Sequence, residues 1–216
     1  AESAALKRRH DIHRRISKAM LGTSVLMLPA MAFLVALGPP LGELLFREKA
    51  VGDYLLPLSI GVALSCYQSV LSCALNGVGR QPEAARNALL SGAAELAVVY
   101  LTVGRPEIGL MGYAAAFALS SLLGVILGTV SLYRATGLRP HIFQWLTAPG
   151  LAALLMGLNV NLLSHILLDR GVHTLWTVGD CLAFGAVLYL TALFVQGVRL
   201  SELFPMKRKE SRAERR

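Results

Sequence analysis

Two carboxylates, Glu95 and Asp180, sit in stretches that are otherwise almost wholly apolar or small. An ionisable side chain in such a setting is expensive to place in a membrane helix and is a functional candidate for that reason. Glu95 falls at the middle of its stretch. Two readings of it stand. It is a proton or cation site or a contact to a polar substrate, or it is a structural hydrogen-bond acceptor to a neighbouring helix. Asp180 lies about one turn inside its stretch, close enough to an interface for hydration to account for it. The amides Gln68, Asn76, Asn159 and Asn161 are weaker candidates, because amides commonly bond between membrane helices at modest strength. Asn76 precedes Gly77 and reads as a helix-end residue. Asn159 and Asn161 are two apart and point to different faces. Arg86 is either a phosphate contact or an interfacial anchor.

Other reactive residues form no recognisable constellation. The sequence has no H-E-x-x-H, no G-x-S-x-G and no phosphate-binding G-x-x-x-x-G-K-[ST]. The expectation is therefore a protein that is not an enzyme and that uses no cofactor or metal. Cys66, Cys73 and Cys181 form no C-x-x-C pair and read as small buried apolar residues. His165 and Asp169 are four apart, the spacing of an ordinary surface pair.

The elements that must position these residues are long apolar helices. The chain is 216 residues long and 55% hydrophobic. Its apolar segments run over 19–38, 54–76, 85–103, 110–133, 146–168 and 174–198. Each is near the ~20 residues that an α-helix needs to cross ~30 Å of hydrocarbon. The fold class expected is all-α: a polytopic membrane helix bundle with six transmembrane helices. Residues 1–18 form a basic segment before it, and 199–216 a basic tail after it. The helical spacing of Leu6, Ile12, Ile16 and Met20 fits either a basic amphipathic surface helix or an extension of the first span.

The net charge of +8 is sorted by side. Seventeen of the 21 Lys and Arg residues fall on one side of the alternating spans, leaving Arg47, Lys49, Arg105 and Arg170 on the other. Basic residues in short loops stay cytoplasmic, so both termini are expected in the cytoplasm. The charge sits at helix ends and tails, where anionic lipid headgroups attract it. The partners expected are thus membrane lipids and no nucleic acid.

Punctuation refines the spans. Pro29 lies at the centre of the first, and Gly38-Pro39-Pro40 ends it, followed by a short interfacial helix over Leu41–Phe46. Gly77-Val78-Gly79-Arg80-Gln81-Pro82 is a tight turn, and Gly104-Arg105-Pro106 a helix stop. In the fourth span Ala116, Ser120, Gly124 and Gly128 recur every four residues on one face. Small residues let helix backbones approach closely in lipid, either within the chain or between two copies. Trp145 reads as an interfacial anchor.

Four of these stretches, in order, resemble polysaccharide-exporter-like flippases of the stage V sporulation protein B type. These belong to the multidrug/oligosaccharidyl-lipid/polysaccharide flippase superfamily. The stretches are Arg14–Ala19 leading to Leu28-Pro29-Ala30, the turn Pro39–Phe46, the run Gln68–Gln81, and Arg105–Ala116. The resemblance covers residues 1–145 by motif, and the rest by position and hydropathy. It implies the last six of about fourteen helices in a two-lobed, alternating-access transporter. The implied setting is the bacterial cytoplasmic membrane and the implied substrate a lipid-linked saccharide. The N-terminal lobe would be missing, or would be a partner chain. The family often carries a basic residue near the position of Glu95, where this chain is acidic. The alternative expectation is a six-span scaffold or assembly subunit without transport of its own.

Overall fold

A computed structural model describes the backbone of residues 2–103, 109–137 and 142–196, with side chains from Arg14 onward except Lys49 and residues 142–145. The basic tail 199–216, the helix stop at Gly104-Arg105-Pro106, Arg139 and the side chains of Leu6, Ile12 and Trp145 lie outside the described residues. In chain order the helices are α1 (Glu2–Ala36), α2 (Gly38–Phe46), α3 (Gly52–Gly77), α4 (Gln81–Thr102), α5 (Gly109–Thr136), α6 (Ile142–Asp169) and α7 (Thr174–Val195). A single 3-10 turn, Lys49–Val51, precedes α3. The basic segment and the first span are one continuous helix, α1, so the N-terminal segment extends the first span.

Among the described residues five helical segments are long and apolar enough to cross a membrane: Arg14–Ala36, Gly52–Gly77, Gly109–Thr136, Leu146–Asp169 and Thr174–Val195. The sixth expected span, α4, is not among them. Its 22 residues would reach about 33 Å at the usual helical rise. Arg86, Asn87, Ser91 and Glu95 dilute its apolar character.

The burial pattern is that of a protein solvated by lipid. The buried residues of α5 are Gly112, Ala114, Ala116, Ser120, Ser121, Gly124, Gly128, Ser131 and Leu132, nearly all small. Its exposed residues include Leu119, Leu122, Ile126 and Val130. Leu96 on α4 and Phe194 on α7 are likewise 72% and 85% exposed. Water would penalise that arrangement. Lipid tails do not, because they are as apolar as leucine, and helix association then rests on close packing and interhelical hydrogen bonds. The chain is an integral membrane protein.

The bundle divides into two packed groups. In one, α5 lies between α3 and α4; in the other, α6 lies between α1 and α7. The contact of α1 with α3 joins them. Tyr67 of α3 donates its hydroxyl to Ser24 of α1 at 2.7 Å, and Ser24 donates to the Met20 carbonyl. Pro29 explains a second tie. It has no N–H, so it deprives the Val25 carbonyl, four residues earlier, of its helical donor. The Tyr189 hydroxyl of α7 donates to that carbonyl at 2.9 Å in a buried setting. A membrane offers no water to do this, so a neighbouring helix must.

The corner between α1 and α3 is set by three glycines. A Cβ on Gly52 would fall 2.5 Å from the Gly38 carbonyl carbon, and one on Gly42 would fall 2.8 Å from the Gly52 nitrogen. Backbone meets backbone there, so any side chain would force α2 off the start of α3. At the opposite end Gly79, at φ 82°, reverses the chain between α3 and α4. Its N–H bonds the Asn76 carbonyl, and Arg80 N–H closes on the Leu75 carbonyl.

Candidate functional site

The polar side chains of α4 rise on a four-residue spacing, Asn87, Ser91 and Glu95, and each meets a partner on α3 or α5. Asn87 Nδ2 donates to Ser131 Oγ of α5 at 2.9 Å. One turn on, Gln68 Nε2 of α3 donates to Ser91 Oγ at 3.0 Å. A further turn on, Ser120 Oγ of α5 bonds Glu95 Oε2 at 3.0 Å. Four-residue spacing puts successive side chains above one another on one helix face. The result is a polar ladder of three rungs through the α3–α4–α5 group.

Glycine makes the ladder fit. A Cβ on Gly124 would land 2.3–2.5 Å from the carboxamide of Gln68, and one on Gly128 would land 3.1 Å from Leu71 Cβ. Only a bare backbone at these places lets α3 come close enough for Gln68 to reach past α5 to Ser91. The small face of α5 is thus occupied within the chain, by α3 and α4. Ala116 and Ser120 continue that face, fully or nearly buried.

Glu95 is half-buried and lies where the ladder reaches the surface. It lines a groove of about 570 Å³ on α4 together with Gly92, Ala93, Leu96, Val99 and Tyr113. The carboxylate therefore touches a buried hydroxyl on one side and open space on the other. Such a group can exchange a proton with the groove or hold a small cation there. At the far end of the ladder, Asn87 is 4% exposed and its Oδ1 has no hydrogen-bond partner.

The other candidates lie apart. Asn76 is exposed at the end of α3, and its backbone carbonyl takes part in the α3–α4 turn. Asn159 is exposed on α6, where its amide donates to its own helix at the Leu155 carbonyl, 2.8 Å away. Asp180 is exposed on α7. Of the five substrate- or ion-pathway candidates, only Gln68 and Glu95 share the ladder. Asn87, Ser91 and Ser131 were not singled out from the sequence. Their signal was the Asn-x-x-x-Ser-x-x-x-Glu period of α4, which is legible only when serines are weighed with the charges. Among the described residues no three of His, Cys, Asp and Glu gather in a way that could hold a metal ion.

No family model matches the sequence, and no curated protein matches it. The backbone is more informative. It is similar to the lipid II flippase MurJ in an inward closed conformation, with a TM-score of 0.71 at 15% sequence identity. The fold is flippase-like. The likeness covers 88% of this chain and 41% of that one, so the chain spans well under half the length of this neighbour. At such identity the likeness is one of fold, and it carries no residue of the neighbour onto this sequence.

Proposed function

We propose that this chain is the C-terminal part of a flippase that moves a lipid-linked cell-envelope saccharide precursor across the bacterial cytoplasmic membrane. The observation that carries the reading is the flippase-like backbone, a TM-score of 0.71 over 88% of the chain. The four sequence stretches that resemble stage V sporulation protein B type exporters add to it. In this reading α4 is a sixth crossing, its polar face turned to α3 and α5, and both ends of the chain lie in the cytoplasm. Substrate moves by alternating access, two lobes rocking about a site near the midplane. The lobe that completes the machine is either encoded upstream of Ala1 or supplied by a partner chain. Glu95, at the junction of ladder and groove, is the residue assigned to the proton, ion or substrate pathway.

The test is translocation of a lipid-linked saccharide in proteoliposomes holding the complete transporter. Glu95→Gln is expected to lower transport while membrane abundance stays normal. Unchanged transport would make Glu95 a structural partner of Ser120. If the complete assembly moves no lipid-linked saccharide, the scaffold alternative stands in its place.

A further inference from the structure

A second site lies in the other group of helices, between α1 and α6, and no part of the transport reading uses it. Between α1 and α6 runs a groove of about 620 Å³, walled by Leu28, Met31 and Val35 on one side and Leu151, Leu154 and Leu158 on the other. Gly150 and Gly157 form part of its floor. Along α6 it extends from Leu146 to Asn161. That is about 22 Å at the helical rise, against ~30 Å for a bilayer core. At the α2 end the groove opens into a polar pocket of about 330 Å³, with Val35, Ala36 and Asn161 lining both. The pocket holds Asp53, Asn161, Ser164 and His165.

A long apolar trough that ends in a polar cup at a helix-end level has the shape of a lipid: chain along the helices, head at the interface. The chemistry of the cup narrows the head. Among the described residues no Lys or Arg lines it, and the charge they bring is the Asp53 carboxylate. The Ser164 hydroxyl spends its proton on the Asn161 carbonyl at 2.7 Å, which leaves its oxygen lone pairs to accept. The cup's lining thus includes three acceptors, the Asp53 carboxylate, the Asn161 carboxamide oxygen and the oxygen of Ser164, the last nearly buried. A primary ammonium has three donors and no acceptor. His165 remains to donate to a phosphate. The α3 N-terminus alone would favour a carboxylate at Asp53, but it gives no reason for the other acceptors or for the trough beside them.

We propose that the α1–α6 groove and its polar cup bind a phospholipid whose headgroup carries a primary amine, seated with its chain along α6. The inference does not depend on whether the protein is a flippase.

Native mass spectrometry of the purified full chain, delipidated and titrated with phosphatidylethanolamine, phosphatidylglycerol or diacylglycerol, tests it. Phosphatidylethanolamine should be retained most tightly. Asp53→Asn, which keeps the shape and removes the charge, should weaken its binding about tenfold, in line with the loss of a charge-assisted hydrogen bond. Gly150→Leu should fill the trough and weaken binding to a similar degree. Its Cβ direction is open, the nearest atom being Leu28 Cδ1 at 4.0 Å, so an unchanged unfolding temperature is expected to accompany the loss. Should that variant misfold, Asp53→Asn decides alone. Equal retention of the three lipids, or unchanged affinity in either folded variant, would overturn the proposal.

Discussion

Where α1, α6 and α7 meet, the buried residues are nearly all apolar, large ones such as Val25, Leu28, Met156, Val160 and Leu193 against small ones such as Ala36, Ala152, Ala153 and Cys181, with Tyr189 among them. Where α4 meets α3 and α5 they include Asn87, Ser91, Ser120, Gly124, Gly128 and Ser131, with Leu71, Leu75 and Leu132 closing one end. The first group is held by the fit of apolar side chains, large against small. The second is held by close backbone approach and by directional bonds between helices. Lipid makes both workable, since neither gains from excluding water. The difference lies in what each can tolerate. A jigsaw of apolar side chains offers a partly hydrated carboxylate no partner. A seam of hydroxyls and amides does, and Glu95 sits in that seam.

Three experiments would break or sharpen this contrast. The largest effect is expected in the apolar group. Met156 is fully buried, and Met156→Ala should cost about 2–5 kcal/mol through lost contacts and a cavity. Thermal unfolding in detergent would show it as a marked drop in midpoint, and a small drop would mean that the group repacks freely. Next comes Tyr189→Phe, which strands the Val25 carbonyl behind Pro29; a cost of about 1–3 kcal/mol is expected. The same change made in a Pro29→Ala background should cost much less, because the restored N–H satisfies that carbonyl. Equal costs in the two backgrounds would refute the account of Tyr189. The smallest effect belongs to the ladder. A double-mutant cycle on Asn87→Ala and Ser131→Ala should give a coupling of about 0.6 kcal/mol, the usual size for a hydrogen bond between membrane helices. A coupling several times larger would mean that the ladder, and not the apolar group, sets the register of the bundle.

Much of the architecture was readable before any coordinates. Helix positions followed from runs of apolar residues and from Gly and Pro punctuation, as at Gly38-Pro39-Pro40 and Gly77–Pro82. The small-residue face of α5 was readable too, since a period of four is a property of one helix. Which helices cover that face was not. Gln68 beside Gly124 is a relation between two helices, and the spacing within either one says nothing about it. The ladder was missed for a related reason: a lone serine is unremarkable, and Ser91, Ser120 and Ser131 gain meaning only when α3, α4 and α5 are side by side. His165 shows the same limit. From sequence its neighbour is Asp169, four residues on, whereas the fold sets it in one pocket with Asp53 from another helix.

Pro29 also bears on how the chain is made. Helices enter the membrane in chain order, so α1 arrives well before α7, with a carbonyl that has lost its own helical donor. The hydroxyl that satisfies it comes from Tyr189, 164 residues later, on the last helix described. Until α7 inserts, α1 carries an unmet acceptor in hydrocarbon, which costs free energy. α7 thus meets a need created in α1, and a chain halted between the two would carry one unmet backbone oxygen.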